Sequence, residues 1–499
     1  LSRRQRQMCI RDRYDRPQRD ADCSSKGDWK GMENVSVQDI VLATGGVLLS
    51  GDDGVMLNKI RLDSRQVEAG DLFAPIIGEK VDAHKFLEQV AEKGAGAVLT
   101  SEHKEKTEEM AETSCAWIAV DDTKKALQAV GRYLRKRLTL PIVGVTGSVG
   151  KTTTREMIAA ALSARFHVYK TPGNSNSQVG VPITVSEITK EDEVGVLELG
   201  MSEPGELTVI ARIAKPDVAV ITNIGITHIE QLGSRENIYR EKLTIQDGLS
   251  DGGILILNGD DDMLCRTRGK AGVKTVYYGT GETCDYRAVD IVLMDGKTEF
   301  TAVHAGKTQK VLLNVMGTHN VMNALAAIAV CCERGMTMEE AAEGLLTFHG
   351  FKHRQQVYAD GRFTVMDDSY NATPASMTAA LDVLQGLTGK RHIAVLADMK
   401  ELGGNYLAYH REVGEYAANS GVDLVVTLGE ACRSLAEGVR AVKEIPVVEF
   451  SDCGEMVKYL EAEIRDGDCV LFKGPTPWDC LLWQINSWRW PEGRNGRKF

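Results

Sequence analysis

A glycine-rich loop between a buried strand and a helix places the strongest constraint on the fold of this 499-residue chain. The segment 142–154, IVGVTGSVGKTTT, begins with an apolar run, and the helix-forming sequence TTREMIAAALSARF overlaps its end. Backbone N–H groups of such a loop point toward one site, and the first helical turn adds positive potential there. The segment therefore predicts a phosphate-binding loop, with Lys151 at the terminal phosphates and the Thr152 hydroxyl on Mg²⁺.

The loop differs from the common phosphate-loop pattern in the spacing of its glycines. GxxxxGK[ST] requires glycine where Val145 stands, whereas the glycines here occupy positions 144, 147 and 150. The alternative interpretation is a glycine-rich turn without a ligand, and GKTT directly after an apolar strand argues against it. The residues expected to contact the nucleotide are Thr146, Gly147, Ser148, Val149, Gly150, Lys151, Thr152 and Thr153.

Apolar strands alternate with helices along most of the chain, a pattern typical of α/β proteins. The segments IVGVT, VGVLELG, VAVITNIG and GGILILNGDD predict a parallel sheet with helices on both faces. We therefore predict three domains: a small α/β domain at 32–140, a central P-loop ATPase domain with a parallel sheet at 141–348, and a Rossmann-like α/β domain at 349–499. The expected helices include Lys124–Arg137, Asn320–Arg334, Pro374–Leu387 and His410–Ser420.

The two ends of the chain differ from the rest in composition. Residues 1–31 hold nine Lys or Arg and five Asp or Glu, and the string RRQRQMCIRDR resembles a translated sequencing adaptor. Residues 475–499 are rich in Trp and show no helical period, as a frameshift would produce. We expect residues 1–31 to be a non-native tail, Met32 to be the first native residue, and 475–499 to be frameshifted.

The overall composition argues against two classes of protein. With 43% hydrophobic and 26% charged residues, the chain has no apolar run of about 20 residues to cross a membrane. A net charge of −11 lacks the excess of Lys and Arg that nucleic-acid binding requires. Eleven cysteines without CxxC spacing indicate reduced thiols. We expect a cytoplasmic monomer with no nucleic-acid partner and no membrane insertion.

Three polar side chains are candidates for a metal centre. Glu198 ends an apolar strand, so we expect it at the carboxyl edge of the sheet, where doubly wound folds bind ligands. A solvated acid at a strand end is the alternative. His228 follows the strand VAVITNIG and is either a metal ligand or a satisfied loop histidine. Lys242, in ENIYREKLTIQDGL, has by itself the pattern of a surface lysine.

Taken together, these motifs resemble those of the Mur ligase family over residues 32–474. The family loop GxTGxxGKT is found at Gly144–Thr152, and its E-x-G motif at Glu198–Gly200. Its TN-x-x-x-x-H motif is found at Thr222–His228. The sequence GTHNVMNALAA, which begins at Gly317, resembles the adenine segment GxHNxxNxxAA.

The resemblance implies roles for five of these residues. Glu198 and His228 would hold Mg²⁺, and Lys242 would react with CO2 to give a carbamate, which is anionic where an ordinary lysine is cationic. Asn320 and Asn323 would contact the adenine of ATP, although Asn320 is also placed to cap a helix. ATP and Mg²⁺ are therefore the expected cofactors, with a carbamylated lysine at Lys242.

Other stretches resemble the branch of the family that acts on UDP-N-acetylmuramoyl-tripeptide and D-alanyl-D-alanine. They are TPGNSNSQVGVP at Thr171, DDSYNATP at Asp367 and LADMKELG at Leu396. The segment DSRQVEAGDLF resembles the region that holds the UDP-sugar, although Ser64 and Arg65 could equally form a turn and a surface ion pair. The resemblance implies further nucleotide or substrate contacts from Asn174, Asn176, Arg354, Asp367, Tyr370 and Asn371.

The expected function is ATP-dependent amide-bond ligation through an acyl phosphate. It belongs to peptidoglycan precursor synthesis, and so to cell-wall growth, cell shape and division. The alternatives are a sibling ligase that adds one amino acid, a folylpolyglutamate synthase, or a P-loop ATPase without ligase chemistry. The chain departs from the family at Ser177 and Thr373, where asparagine is expected, and after Gly474, where Ser-Arg-x-x-Met is expected. The last departure puts dipeptide binding in question.

Overall fold

A computed structural model of the chain describes residues 32–475, apart from positions 79, 295 and 360. In this range the chain forms three α/β units, each built on its own sheet, which confirms the predicted fold class. The interpretations of 1–31 as a non-native tail and of 476–499 as frameshifted lie outside the described residues. None of the helices within the described range is long and apolar enough to cross a membrane.

The first unit is a small five-stranded sheet flanked by helices. Its elements are α1 (Val37–Thr44), β1 (Val47–Ser50), β2 (Ile60–Arg61), β3 (Leu72–Phe73), α2 (Leu87–Glu92), β4 (Ala97–Thr100), β5 (Ala116–Ala119) and α3 (Thr123–Arg137). The strand order is β1-β5-β4-β3-β2, in which β1 runs antiparallel to β5 and the other pairs are parallel. Strands β4 and β5 are buried along their whole length, as their apolar sequences predict.

The central unit is a nine-stranded sheet covered by helices. Its elements are β6 (Ile142–Thr146), α4 (Lys151–Leu162), β7 (Val168–Lys170), α5 (Gly180–Glu187), β8 (Val194–Glu198), α6 (Glu206–Ala214), β9 (Val218–Ile221), α7 (Ile229–Leu232), α8 (Arg235–Leu243), β10 (Ile254–Asn258), β11 (Lys274–Gly279), β12 (Tyr286–Met294), β13 (Lys297–His304), β14 (Lys307–Leu313), α9 (Thr318–Glu333) and α10 (Met338–Leu345). Strands β6, β8 and β9 are fully buried because helices cover both faces of the sheet.

The strand order of the central sheet places three functional segments at one edge. The order is β14-β13-β12-β11-β10-β9-β6-β8-β7, so β6 lies between β8 and β9 and is parallel to both. Ligands of doubly wound sheets bind beyond the carboxyl ends of the strands, where the strand order changes direction. The loop after β6, Glu198 at the end of β8 and the segment after β9 therefore meet at this edge.

The central sheet is parallel as predicted from β7 to β12, and an antiparallel extension at one edge was not indicated by the sequence. Strands β12, β13 and β14 form an antiparallel meander, with tight turns that contain Gly296 and Gly306 in left-handed conformations. Their side chains alternate between buried and exposed over much of each strand. An antiparallel sheet needs cover on one face only, so these strands lack the continuous apolar runs by which the parallel strands are found.

The third unit is a six-stranded sheet with the order β15-β16-β20-β17-β18-β19. Its elements are β15 (Gln356–Ala359), β16 (Thr364–Asp368), α11 (Pro374–Gln385), β17 (Arg391–Ala397), α12 (Tyr406–Asn419), β18 (Leu424–Leu428), α13 (Cys432–Val442), β19 (Val447–Phe450), α14 (Cys453–Glu463) and β20 (Asp468–Lys473). The edge strand β15 is antiparallel to β16, and the other pairs are parallel.

Helix boundaries differ from the sequence predictions by a few residues, because caps and single turns decide them. The Thr373 hydroxyl accepts a hydrogen bond from the Ser376 N–H, and Pro374 occupies the first turn, so α11 begins where predicted. In contrast, α12 begins at Tyr406 instead of His410, because a 3₁₀ turn at Gly403–Asn405 leads directly into it.

Helix α3 joins the first unit to the central one. A Cβ added at Gly131 would lie 2.9 Å from Pro182 of α5, so the two helices are in close contact. Arg135 is buried and donates from Nε to the Ala214 carbonyl (2.7 Å) and from Nη2 to the Lys215 carbonyl (2.9 Å) at the end of α6. Apolar side chains of both units consequently form one continuous core.

Close contact between α12 and α13 generates a stability prediction. A Cβ on Gly414 would lie 2.0 Å from the Leu435 carbonyl oxygen. We expect Gly414→Ala to lower the free energy of unfolding by about 1–3 kcal/mol, because the two helices must separate. Urea denaturation followed by circular dichroism measures the change. Gly404→Ala is the control, since a Cβ there meets nothing within 4 Å; equal stability of the two variants would contradict the prediction.

Candidate active site

A cavity of about 470 Å³ lies between the central and third units, at the carboxyl edge of the central sheet. Its lining includes most of the residues that the sequence predicted for the site. These are Ser148, Val149, Gly150, Lys151, Thr152, Thr153, Asn176, Glu198, His228, Asn320, Asn323, Arg354, Tyr370 and Asn371. The fold thus brings together residues that are more than 200 positions apart in the sequence.

The phosphate loop depends on glycine at two positions. Gly147 has φ 152°, and a Cβ there would lie 1.8 Å from the Thr222 hydroxyl oxygen. Gly150 has φ 83° at the N-cap of α4, with the Asn323 side chain 3.0 Å from an added Cβ. Only glycine allows this close approach and this left-handed conformation without strain.

The segment after β9 holds the loop in shape. The Val149 N–H donates to the Asn223 side-chain oxygen (2.9 Å), and the Thr222 hydroxyl donates to the Val149 carbonyl (2.6 Å). The Gly225 N–H donates to the Ser148 hydroxyl (2.8 Å). The TN motif therefore supports the loop through hydrogen bonds, a role that sequence spacing did not predict.

Lys151 is folded back over the loop at the start of α4. Its Nζ donates to the Gly147 carbonyl (2.8 Å) and to the Ser148 carbonyl (3.3 Å). Burial lowers the pKa of Lys151 from its ordinary value, and the nearby Glu198 carboxylate partly opposes that shift. A partly buried lysine at a helix N-terminus fits the recognition of an anionic phosphate group.

Glu198 is buried, with 3% of the residue exposed, so it is not a solvated acid at a strand end. Its Oε1 accepts from Asn176 Nδ2 (2.8 Å), and its Oε2 accepts from Arg155 Nη1 (3.2 Å). Its backbone N–H donates to the Thr171 hydroxyl (3.0 Å). The carboxylate is thus held in one orientation at the edge of the cavity.

Arg155 is a site residue that the sequence prediction missed. It is fully buried on α4 and also pairs with Glu156 (2.6 Å), which in turn pairs with Lys170 (2.5 Å). In addition, it donates to the Gly173 carbonyl (2.9 Å) of the segment that leads to Asn176. The signal in the sequence was a charged pair, Arg155-Glu156, directly before the apolar run MIAAAL of helix α4.

Lys242 and His228 lie close to the loop. Lys242 is 2% exposed, so the interpretation of a surface lysine is wrong. Its pKa is well below the ordinary range because the side chain is buried and the like charge of Lys151 is nearby. Burial also lowers the pKa of His228, whose Nδ1 lies 2.6 Å from Glu401 of the third unit.

Two asparagines of α9 complete the wall of the cavity behind the loop. The Thr154 hydroxyl donates to Asn323 Oδ1 (2.9 Å), and Asn323 Nδ2 donates to Asn320 Oδ1 (3.2 Å). Asn320 Nδ2 donates to the Met316 carbonyl (2.7 Å). Helix α9 begins at Thr318 with Gly317 at the N-cap, so Asn320 is not its N-cap residue.

Arg354 reaches the loop from the third unit. Its Nη2 donates to the Thr152 hydroxyl (3.3 Å), and its guanidinium group lies 4.0 Å from the centre of the Tyr370 ring. Burial lowers the pKa of Arg354 from its ordinary value. This contact couples the position of the third unit to the phosphate site.

Lys473 and Asp367 shape the DSYNAT segment opposite the loop. Lys473 Nζ pairs with Asp368 (2.8 Å) and donates to the Asn371 carbonyl (2.7 Å). Asp367 accepts from the Ser369 hydroxyl (2.6 Å) and lies 2.7 Å from His353 Nδ1, so it supports the wall from behind.

Other predicted residues lie outside the lining of this cavity. Ser64 and Arg65 belong to the first unit, in a 3₁₀ turn where Arg65 pairs with Asp63 (2.7 Å) and lowers the pKa of that carboxyl to about 2. This is the turn and surface ion pair that the sequence left open, and the UDP-sugar role stays a prediction. Asn174 is exposed. Four further predicted residues are not part of the cavity lining. They are Thr146, Gly147, Lys242 and Asp367.

Family models match the chain in three consecutive parts. The Mur ligase family catalytic domain matches residues 57–134, the Mur ligase middle domain matches 145–331, and the Mur ligase glutamate ligase domain matches 353–476. The central match contains the phosphate loop, the candidate metal ligands, and the pair Asn320 and Asn323. The chain belongs to the Mur ligase family.

The chain is similar to two relatives that share one enzyme name and to two solved structures of MurF. UDP-N-acetylmuramoyl-tripeptide–D-alanyl-D-alanine ligase of Bacillus subtilis is 37% identical over 84% of this chain and 90% of its own length. The enzyme of the same name from Escherichia coli is 32% identical over 81% of this chain and 88% of its own length. MurF from Acinetobacter baumannii has a TM-score of 0.83 at 30% identity, covering 91% of this chain and 98% of its own. MurF from Thermotoga maritima in complex with ADP has a TM-score of 0.76 at 27% identity, and the match covers 86% of this chain and 97% of its own.

The buried network around Arg155 generates a second stability prediction. We expect Arg155→Met to lower the free energy of unfolding by about 3–5 kcal/mol, because it leaves the buried Glu198 without its cation. Lys170→Met is the matched control, since Lys170 also pairs with Glu156 but is half exposed, and it should cost about 0–1 kcal/mol. Chemical denaturation of both variants measures the difference, and similar small losses would show that the network does not stabilise the fold.

Proposed function

We propose that this chain joins D-alanyl-D-alanine to UDP-N-acetylmuramoyl-tripeptide at the expense of ATP, in peptidoglycan precursor synthesis. The observation that carries the proposal is the position of the phosphate loop. It faces the Asp368–Asn371 segment of the third unit across one cavity. A phosphoryl donor on one wall and an acceptor amine on the other would meet in a space that both units line.

ATP would lie along the loop between β6 and α4. The loop N–H groups and Lys151 supply positive potential for the phosphates, and the buried pair Asn320 and Asn323 supplies amide groups for the adenine. The ADP complex of the Thermotoga maritima relative supports a nucleotide site in this fold.

The donor set beside the loop fits Mg²⁺. Thr152 offers a hydroxyl, Glu198 a carboxylate and His228 an imidazole. Each oxygen of Glu198 accepts one hydrogen bond, so each keeps a second lone pair. Mg²⁺ held by these three residues would neutralise charge on the transferred phosphoryl group.

Lys242 would carry a carbamate. Its depressed pKa leaves the amine neutral at lower pH than an exposed lysine. The nitrogen lone pair attacks the carbon of CO2, a C–N bond forms, and one proton leaves to solvent. The product is an anion near the cation Lys151, so the repulsion between two like charges is replaced by attraction.

The reaction begins when the tripeptide carboxylate attacks the γ-phosphorus of ATP, giving an acyl phosphate and ADP. Lys151 and Arg354 are placed to balance the negative charge that develops on the phosphoryl oxygens. The free amine of the dipeptide then attacks the acyl carbon. The tetrahedral intermediate collapses to the amide and inorganic phosphate, and the amine loses its proton.

Three ligands correspond to three parts of the chain. Residues 32–140, with Ser64 and Arg65, would bind the UDP end of the precursor, and residues 141–348 would bind ATP. Residues 349–499, with Tyr370 and Asn371, would bind the dipeptide, while Asn174 and Asn176 would approach the tripeptide. We further propose that the protein is cytoplasmic. We also propose that it works as a monomer, since one chain carries every part of this site.

Phosphate release tests the function. We expect the purified chain to release phosphate from ATP only when both UDP-N-acetylmuramoyl-tripeptide and D-alanyl-D-alanine are present. Lys151→Ala should reduce the rate about 100-fold or more, because it removes a cation from the developing charge. The exposed lysine variant Lys274→Ala is the control and should keep its rate.

The same assay separates the alternatives. Release that needs no acceptor amine would indicate an ATPase without ligase chemistry. Release that depends on a single amino acid instead of the dipeptide would indicate a sibling ligase, and dependence on folate would indicate a folylpolyglutamate synthase.

Carbon-13 NMR tests the carbamate. With ¹³C-labelled bicarbonate we expect a carbamate carbon signal from the native chain and its loss in Lys242→Arg, because arginine remains charged and does not react with CO2. Lys473→Arg is the control, since Lys473 is equally buried but is paired with Asp368. A signal that persists in Lys242→Arg would contradict the assignment.

A further inference from the structure

We propose that Glu401 is a positioning residue for the metal site. Its carboxylate would hold the imidazole ring of His228 from the third unit, so that the opposite ring nitrogen faces the metal. The inference rests on the proposed role of His228 as a Mg²⁺ ligand. It adds a link between the docking of the third unit and the completion of the metal site.

The contact itself is short and joins two units. Glu401 Oε2 lies 2.6 Å from His228 Nδ1. The Nδ1 atom is buried and has no well-aligned hydrogen-bond partner among residues of the described range. The carboxylate oxygen is nevertheless within hydrogen-bond distance of this atom.

Both residues adopt a backbone conformation that is uncommon for residues other than glycine. His228 has φ 63° and Glu401 has φ 60°, in the left-handed region. Such conformations persist where the surrounding structure holds them, and they concentrate at functional sites. Here each turns its loop so that the two side chains meet.

The loop of Glu401 is anchored on both sides. The Met399 N–H donates to His410 Nε2 (2.9 Å), and His410 Nδ1 lies 2.7 Å from the Tyr406 carbonyl. Met399 and Leu402 are both buried in the third unit. Glu401 stands between these two anchors and projects from the third unit, with 47% of its side chain exposed.

The central unit meets this loop closely. Ile226 packs against the apolar core of the third unit. A Cβ on Gly403 would lie 3.6 Å from the Cα of Glu230, so the two backbones are nearly in contact. The pair of His228 and Glu401 therefore exists only when the two units are docked.

A carboxylate at Nδ1 has a defined effect on a metal-binding histidine. It accepts the Nδ1 proton, which fixes the tautomer and leaves the lone pair of Nε2 for the metal. It also fixes the ring orientation, which raises metal affinity without a direct bond to the metal. Docking of the third unit would thus strengthen the site at which the phosphates are bound.

Metal affinity measured without turnover tests this role. Mn²⁺ binding to the full chain with ADP is followed by electron paramagnetic resonance. We expect Glu401→Ala to weaken Mn²⁺ binding about 10–100-fold. Glu401→Gln should bind nearly as well as the native chain, because the amide oxygen still accepts from Nδ1. Glu412→Ala is the charge-matched control on the exposed side of α12 and should leave Mn²⁺ binding unchanged.

A double variant decides whether Glu401 acts through His228. His228→Ala should weaken Mn²⁺ binding, and adding Glu401→Ala should weaken it no further, since residues that act as one unit are not additive. Additive losses, or native affinity in Glu401→Ala, would overturn the inference. Native affinity in His228→Ala would remove the metal role of His228 and this inference with it, whereas dipeptide-dependent phosphate release would still decide the ligase function separately.

Discussion

The close packing of the phosphate loop on the segment after β9 is the contact on which the rest of the site depends. Gly147 lies so near Thr222 that a Cβ would overlap its hydroxyl oxygen. Asn223 bonds to both the N–H and the carbonyl of Val149. Because these bonds lie within the protein, the loop has its shape before a nucleotide arrives, and no reorganisation is needed when phosphate charge develops. The adjacency of β6 and β9 in the sheet makes this support possible.

Charge balance is the second constraint on the site. Lys151, Arg155, Lys242 and Arg354 are four basic side chains around the phosphate loop. Arg155 and Lys242 are buried, and isolated charges are costly there. Of these four residues, Arg155 alone forms ion pairs with carboxylates in the described part of the chain. Its partners are Glu156 and Glu198. Burial lowers the pKa values of the other three, so a positive charge on each is costly unless an anion lies nearby. Phosphate groups and a carbamate are the anions that the proposed function supplies.

The cavity lies between two units, and both contribute side chains to it. The central unit carries the loop, and the third unit brings Arg354 to Thr152 and Glu401 to His228. A reactive acyl phosphate is protected from water when the walls of its cavity belong to parts that close on it. The first unit is tied to the central one through α3 and one continuous core, so the cavity lies at the other boundary of the central unit.

The sequence by itself determined the α/β class, the buried parallel strands and the phosphate loop, because these follow from local apolar runs and glycine spacing. It also indicated Glu198 and His228 as residues at strand ends, but Lys242 only through its family resemblance. Only the tertiary structure revealed the burial of Lys242, the network of Arg155 and the contact of Glu401 with His228. These depend on residues far apart in the sequence, and burial and ion pairing arise from packing between units, which no local pattern encodes.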